Sequence, residues 1–263
     1  LVGGGAVASP GCSSRCRPAL EEGTLHIDSG NFNPSNQSVR QQLLNALNLG
    51  PHSVIEEMQG FRGGLNEGVW YLGDPAQGQK NGGRQELVLK LVKCSRLAPN
   101  IPTEAENFLK ISKEHPAVVN DPLVAFPIKV FSCTGPGGIK RYDLIIMRKV
   151  RGERMAELIA RMWYAGQVQR LMQIMEQLGG CLADFHNHYG NSEHGDFQPS
   201  NIFYDEEREE IAFIDVGGMG IPTTETDIQH FTKSMDLLGA SYAPQLAVDC
   251  VHYFNQGYDK RKR

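Results

Sequence analysis

The spacing of apolar positions changes repeatedly along the chain. Residues 1–34 show no apolar periodicity, and their Gly, Ser, Pro and Asn content predicts a mobile tail. "SNQSVRQQLLNALNLG" then follows helical spacing. Val39, Leu43, Leu44 and Leu47 share one face, a Ser or Asn caps the start, and Gly50 is the expected stop. From about residue 54 the pattern is that of strands. "SVIEEMQGF" and "GVWYLGD" flank the turn "RGGLNE", and the polar loop "PAQGQKNGGRQ" leads into the apolar "ELVLKLV". "PTEAENFLKI" opens a helix, with Thr103 as N-cap and Glu106 completing a capping box. Two more strands, "VAFPIKVFSC" and "YDLIIMRKV", complete a small antiparallel sheet carrying one helix.

Beyond Gly152 the spacing becomes helical. Val168, Leu171, Met172, Met175, Leu178, Leu182 and Phe185 form one stripe of "GQVQRLMQIMEQLGGCLADFHNHYG", read as core. "NIFYD" and "EIAFIDV", separated by the acidic "EEREE", carry a hairpin signal. "TETDIQHFTKSMDLLG" and "APQLAVDCVHYFNQGY" read as two closing helices. The expected organisation is α+β: a tail at 1–34, a β-rich N-terminal lobe with its leading helix at 35–149, and a mainly α-helical lobe at 150–263.

Composition narrows the functions this chain can serve. A net charge of −4 and a pI near 6.1 argue against a nucleic-acid partner. No apolar run reaches membrane-spanning length. The cysteines form no CxxC pair. Cys94, Cys133, Cys181 and Cys250 lie in or beside apolar stretches and read as free thiols, while Cys12 and Cys16 fall in the tail. A reducing, cytoplasmic setting is expected, and a chain beginning at Leu1 is read as a fragment or a processed product.

The chemistry concentrates in "EHGDFQPSNIFYDEEREEIAFIDVGG". Antiparallel pairing brings the start of the first strand beside the end of the second, so Asn201 and Asp215 reach the same rim. Asp196, five residues before Asn201, lies on a loop that can turn back over it. A carboxylate beside an amide oxygen suits a hard cation such as Mg²⁺ bridging phosphates, and a second carboxylate can take the proton of an attacking hydroxyl. In the first lobe, Lys90 interrupts the apolar "LVLKLV". It either snorkels from an edge or is a functional charge aimed into a cleft.

HGDxxxxN followed by ID resembles the signature of the aminoglycoside phosphotransferase and choline kinase superfamily of small-molecule kinases. "HGDFQPSNIF…FIDVGGMG", with "TDI" eleven residues beyond Asp215, is most similar to the aminoglycoside-kinase branch. The resemblance covers roughly residues 54–258. It implies a two-lobed, protein-kinase-like fold with Mg·ATP between the lobes. By position, Asp196 is the catalytic base, Asn201 and Asp215 are metal ligands, and His194 is a scaffold residue of the loop. It also implies that Lys90 holds the α- and β-phosphates and pairs with a helix glutamate. Glu104, which precedes Leu109 and Ile111 at the family's offsets, is preferred for that role over Glu106, already assigned to the capping box. Gly63, Gly64 and Asn66 occupy the position of the phosphate-covering loop. Met147, Arg148 and Val150 are the candidates for main-chain contacts to adenine, Met147 and Val150 being preferred.

The function implied is transfer of the γ-phosphate of ATP to a hydroxyl, less readily an amine, of a small molecule. The alternative is a nucleotide-binding pseudokinase acting as a scaffold or subunit, with which the basic end "YDKRKR" is compatible. The stretch between the linker expected near residues 148–152 and His194 is short, which leaves the acceptor pocket small, open, or completed by a protein partner. The motif carries the chemistry and not the choice of acceptor.

Overall fold

A computed structural model describes residues 20–27, 32–60, 66–73, 86–94 and 102–263. Alternating apolar residues build its first half. β1 (Glu21–His26), β2 (Val54–Met58), β3 (Asn66–Gly73), β4 (Glu86–Lys93), β5 (Pro127–Thr134) and β6 (Lys140–Arg148) form a six-stranded sheet ordered β1-β5-β6-β4-β3-β2. Along β4 the side chains alternate between the two faces. Leu87, Leu89 and Leu91 join Leu144 and Ile146 in an apolar cluster with Val39, Leu43 and Leu44 of α1 (Gln37–Ala46). Val92 belongs to the other cluster, with Ile145 and with Phe108 and Ile111 of α2 (Glu104–Glu114). Lys90 shares the face of Val92, so alternation aims its ammonium towards α2.

Three expectations need correction. The sheet is mixed, not antiparallel, because β1 runs parallel to β5 from Glu21 opposite Lys129 to His26 opposite Thr134. Residues 21–26 therefore belong to the sheet and not to the tail expected over 1–34. Leu25 and Ile27 bury the inward side of this strand, and the Lys129 ammonium lies 3.0 Å from the Glu21 carboxylate. The stop of α1 also differs from Gly50. Asn48 adopts φ of +53°, its N–H donates to Asn45 O and the Leu49 N–H to Leu44 O, a left-handed cap that Asn tolerates. The predicted capping box on α2 is present, with Thr103 and Glu106 satisfying each other's backbone N–H groups.

The second half is mainly helical. α3 (Met155–Tyr164), α4 (Val168–His188), α5 (Asp227–Tyr242) and α6 (Pro244–Arg261) surround a small sheet of β7 (Glu153–Arg154), β8 (Ile202–Asp205) and β9 (Glu210–Phe213). From the expected α4 stripe, Leu171, Met172, Met175, Leu178, Leu182 and Phe185 are buried. α4 and α6 touch backbone to backbone. A Cβ on Gly257 would stand 1.8 Å from the Glu176 carbonyl oxygen, and one on Gly179 1.9 Å from that of Phe254. The two halves meet at β9, whose Phe213 N–H donates to Leu123 O while its carbonyl accepts from the Ala125 N–H. Cys133 and Cys250 are buried free thiols, and burial pushes each up to about 12. No helix among the described residues is long and apolar enough to cross a membrane.

Candidate active site

The hairpin sets the site. Ile202 pairs with Phe213, so the flanking Asn201 and Ile214 are neighbours, and the Ile214 N–H donates to Asn201 O at 2.9 Å. One residue on, Asp215 sits in the left-handed region at φ 60°, ψ 40°. A non-glycine residue seldom adopts that conformation, and Asp is among the few that tolerate it. The turn directs its carboxylate at β4, where the Lys90 Nζ lies 2.8 Å from Asp215 Oδ1 and 2.9 Å from Glu104 Oε1. Burial alone would lower the Lys90 ammonium. The two carboxylates outweigh it and hold the amine above its ordinary value. Burial raises Glu104, and Lys90 offsets this only in part. Asp215 is the most open of the three, with its side chain 43% exposed, so the triad faces solvent through this residue.

Asp196 is fixed from its own loop. Asn201 Nδ2 donates to Asp196 Oδ2 at 2.7 Å and to its carbonyl at 2.9 Å. Gln198 Nε2 reaches both carboxylate oxygens, at 2.9 and 3.0 Å, and His230 Nε2 of α5 lies 3.6 Å from Oδ1. His194 is fully buried. Its Nε2–H donates to Ile214 O at 2.9 Å, and its Nδ1 accepts from the Asp196 N–H at 3.3 Å. That arrangement needs the neutral ring, and burial lowers the His194 value accordingly. Gly195 follows at φ of +91°, where a Cβ would come within 3.1 Å of Gly218 O, so glycine suits both the turn and the close approach.

One residue to which the sequence reading gave no role, though it stands in the quoted "TDI", organises this loop. Asp227 opens α5 and its side chain is 2% exposed. Its Oδ2 accepts from the His194 N–H at 2.6 Å and from His186 Nε2 at 3.0 Å, and its Oδ1 from the Gly195 N–H at 3.1 Å. Burial opposes its charge, but these donors prevail and hold Asp227 below the ordinary carboxylate value. His186 Nδ1 in turn accepts from the Tyr258 hydroxyl of α6 at 2.8 Å. The capping pair Thr226 and Gln229 marks a helix start in the sequence and places Asp227 in its first turn, but neither reveals its burial. His186, Glu193 and Asp227 bring ligand atoms within 4.8 Å of one another. Internal hydrogen bonds account for that cluster, since Glu193 Oε2 accepts from the Asp227 N–H.

The donor set at the rim fits a hard cation. Asn201 spends its amide nitrogen on Asp196, which leaves Oδ1 without a partner among the described residues, as is Asp215 Oδ2. Oxygen donors of this kind suit Mg²⁺. The remaining expected residues that the structure describes lie on β3, on β6 and just beyond it. Asn66 Oδ1 accepts from the Gly68 N–H at 3.2 Å, at a bulge of β3. Met147 lies on β6 opposite Val88 and Pro127. Val150 lines a cavity whose walls include neither Lys90, Glu104, Asp196, Asn201 nor Asp215. Gly63 and Gly64 lie outside the described residues. No protein-family model matches the chain and no curated protein matches it, so the site stands on its own geometry.

Proposed function

We propose that this chain is an ATP-dependent phosphotransferase of two-lobed, protein-kinase-like fold, acting on a hydroxyl of a small molecule. The observation that carries the reading is the Lys90 ammonium held between Glu104 and Asp215, on the hairpin rim that also carries Asn201 and Asp196. Mg·ATP, when bound, supplies the transferable phosphoryl group and neutralises its charge. Lys90 holds phosphate oxygens and is itself held by Glu104. Asp215 and the Asn201 side-chain amide oxygen Oδ1 would hold the Mg²⁺. Main-chain groups near Met147 and Val150 take the adenine.

Asp196 orients the acceptor hydroxyl and receives its proton as the oxygen–phosphorus bond forms and ADP departs. Its carboxylate is steadied by Gln198 and Asn201, so little reorganisation is needed at the moment of transfer. The acceptor is bound beside Asp196, near His230.

The test is Mg²⁺-dependent ATP consumption by the purified chain against sugars, aminoglycosides, choline, ethanolamine and homoserine, with Asp196→Asn as control. The expected result is a signal with one acceptor class that disappears in Asp196→Asn. Tight Mg·ATP binding without turnover on any acceptor moves the assignment to a nucleotide-binding scaffold, or to a site completed by a protein partner. Absence of both binding and turnover overturns the reading.

A further inference from the structure

The cavity that Val150 lines, of about 390 Å³, lies where residues 148–151 meet the β8–β9 hairpin. Its lining includes none of Lys90, Glu104, Asp196, Asn201 and Asp215. Val124, Phe126 and Ile211 give it apolar walls, while Arg148, Arg151 and Arg208 also line it. The volume falls at the lower end of the range typical of small-molecule sites, and apolar walls with a few converging polar groups are the usual composition of such sites.

The charge bookkeeping around this cavity is uneven. The neighbouring cations are already paired: Arg161 with Glu153 and Glu206, Arg170 with Glu209, and Lys149 with Glu86. Those contacts consume most of the acidic turn between β8 and β9. Arg148, Arg151 and Arg208 have no carboxylate partner among the described residues. Two of the acids in the wall are committed elsewhere. Asp121 accepts from the Tyr189 hydroxyl at 2.5 Å and the Leu123 N–H at 2.9 Å, and Asp205 from the Glu207 and Arg208 N–H groups. Glu210 is the one lining carboxylate without such a bond, set against three uncommitted guanidinium groups. Guanidinium forks match phosphate and carboxylate oxygens bidentately, which makes them the residues of choice for such anions.

We infer that this cavity binds an amphipathic small-molecule oxyanion, a compact apolar body bearing a phosphate or carboxylate group. The apolar body lies against Val124, Phe126 and Ile211, and the anionic head against the three arginines. The cavity does not depend on the phosphotransfer reading: of its lining, only Arg148 and Val150 are adenine candidates there, through main-chain groups, and the arginine side chains carry no part of it.

The test is titration calorimetry, with ligand-observed NMR, on the full chain using phenyl phosphate, benzoate, phenol and inorganic phosphate as probes. Phenyl phosphate or benzoate is expected to bind more tightly than phenol and inorganic phosphate, and the stronger of the two names the head group. Single Arg148→Gln, Arg151→Gln and Arg208→Gln substitutions at these exposed positions should each weaken binding ~10-fold, the triple variant should abolish it, and thermal melts should stay at the wild-type value. Asp215→Asn should leave binding unchanged. Equal binding of phenol, absence of binding by both oxyanions at millimolar concentration, or binding retained in the triple variant would overturn the inference. Loss of binding in Asp215→Asn would also overturn it, by assigning the probe to the Lys90 site.

Discussion

Replacing Asp227 by Ala tests whether one buried carboxylate sets the 193–201 loop. The substitution strands three donors at once: the His194 N–H, the Gly195 N–H and His186 Nε2. A buried donor left without a partner costs about 1–3 kcal/mol. The three share one acceptor and do not add in full, so the expected loss is about 3–6 kcal/mol. That is a large share of the roughly 5–15 kcal/mol that holds a typical domain folded. Asp227→Asn keeps the shape and one acceptor oxygen, and should lose about half as much, on the order of 1–3 kcal/mol.

The pH dependence separates charge from shape. A carboxylate held below its unfolded value of 3.8 contributes stability in full above that value and loses it as pH falls through the lower folded value. The gap between wild type and Asp227→Asn should therefore be widest near neutrality and shrink below pH 3.8. Glu193 is shifted upwards, chiefly by burial, so it does not mimic this signature. Urea unfolding followed by circular dichroism, at a series of pH values, reads both quantities. An Asp227→Ala chain within about 0.5 kcal/mol of wild type at pH 7 would refute the role given to this residue.

Three further outcomes are expected. Lys90→Met should cut ATP turnover in the acceptor assay at least ~100-fold, since one charged group aimed at the phosphates is lost, and near-normal turnover would contradict its assignment. Burial keeps His194 neutral, so below about pH 6.5 the unfolded chain takes up a proton that the folded chain refuses, and stability falls with acidification. His194→Asn should flatten that slope between pH 7 and pH 5 in the same unfolding assay, and an unaltered slope would count against it. Gly257→Ala should destabilise by about 1–3 kcal/mol or more, measured by melting, because its methyl has no room beside the Glu176 carbonyl, whereas Gly137→Ala meets no neighbouring atom and tests only its own turn.

The strands and helices with their own periodic apolar residues were legible because their local pattern and final environment agree. β4, α2 and α4 are of this kind, and alternation alone aims Lys90 at the α2 face. β1 was not legible. "EEGTLH" carries little apolar content, and its parallel partner lies far downstream, so the pairing is a property of the assembled sheet. Within the site, the antiparallel pairing of β8 with β9 was legible, and it sets Asn201 beside Ile214, one residue before Asp215. It could not foretell the left-handed turn at Asp215 or the convergence of His186, Asp227 and Tyr258 from three helices. The basic end is a similar case. Lys260 pairs with Glu176 and Arg261 with Asp184, so much of "YDKRKR" is satisfied against α4 and does not form a free cationic tail.

The contact between Tyr258 and His186 has a consequence for the order in which the molecule matures. A chain emerging from the ribosome at about 5–20 residues per second exposes the 193–201 segment seconds before α6 is complete. In that interval β8 and β9 can pair, but α4 has neither the α6 glycine seam nor the Tyr258 hydroxyl, and His186 is held from one side only. The nascent hairpin therefore precedes its own alignment. A ribosome-stalled chain carried on a C-terminal spacer, so that it has emerged only as far as residue 243, should carry the strands of the site while its loop stays open to proteases that spare the finished protein.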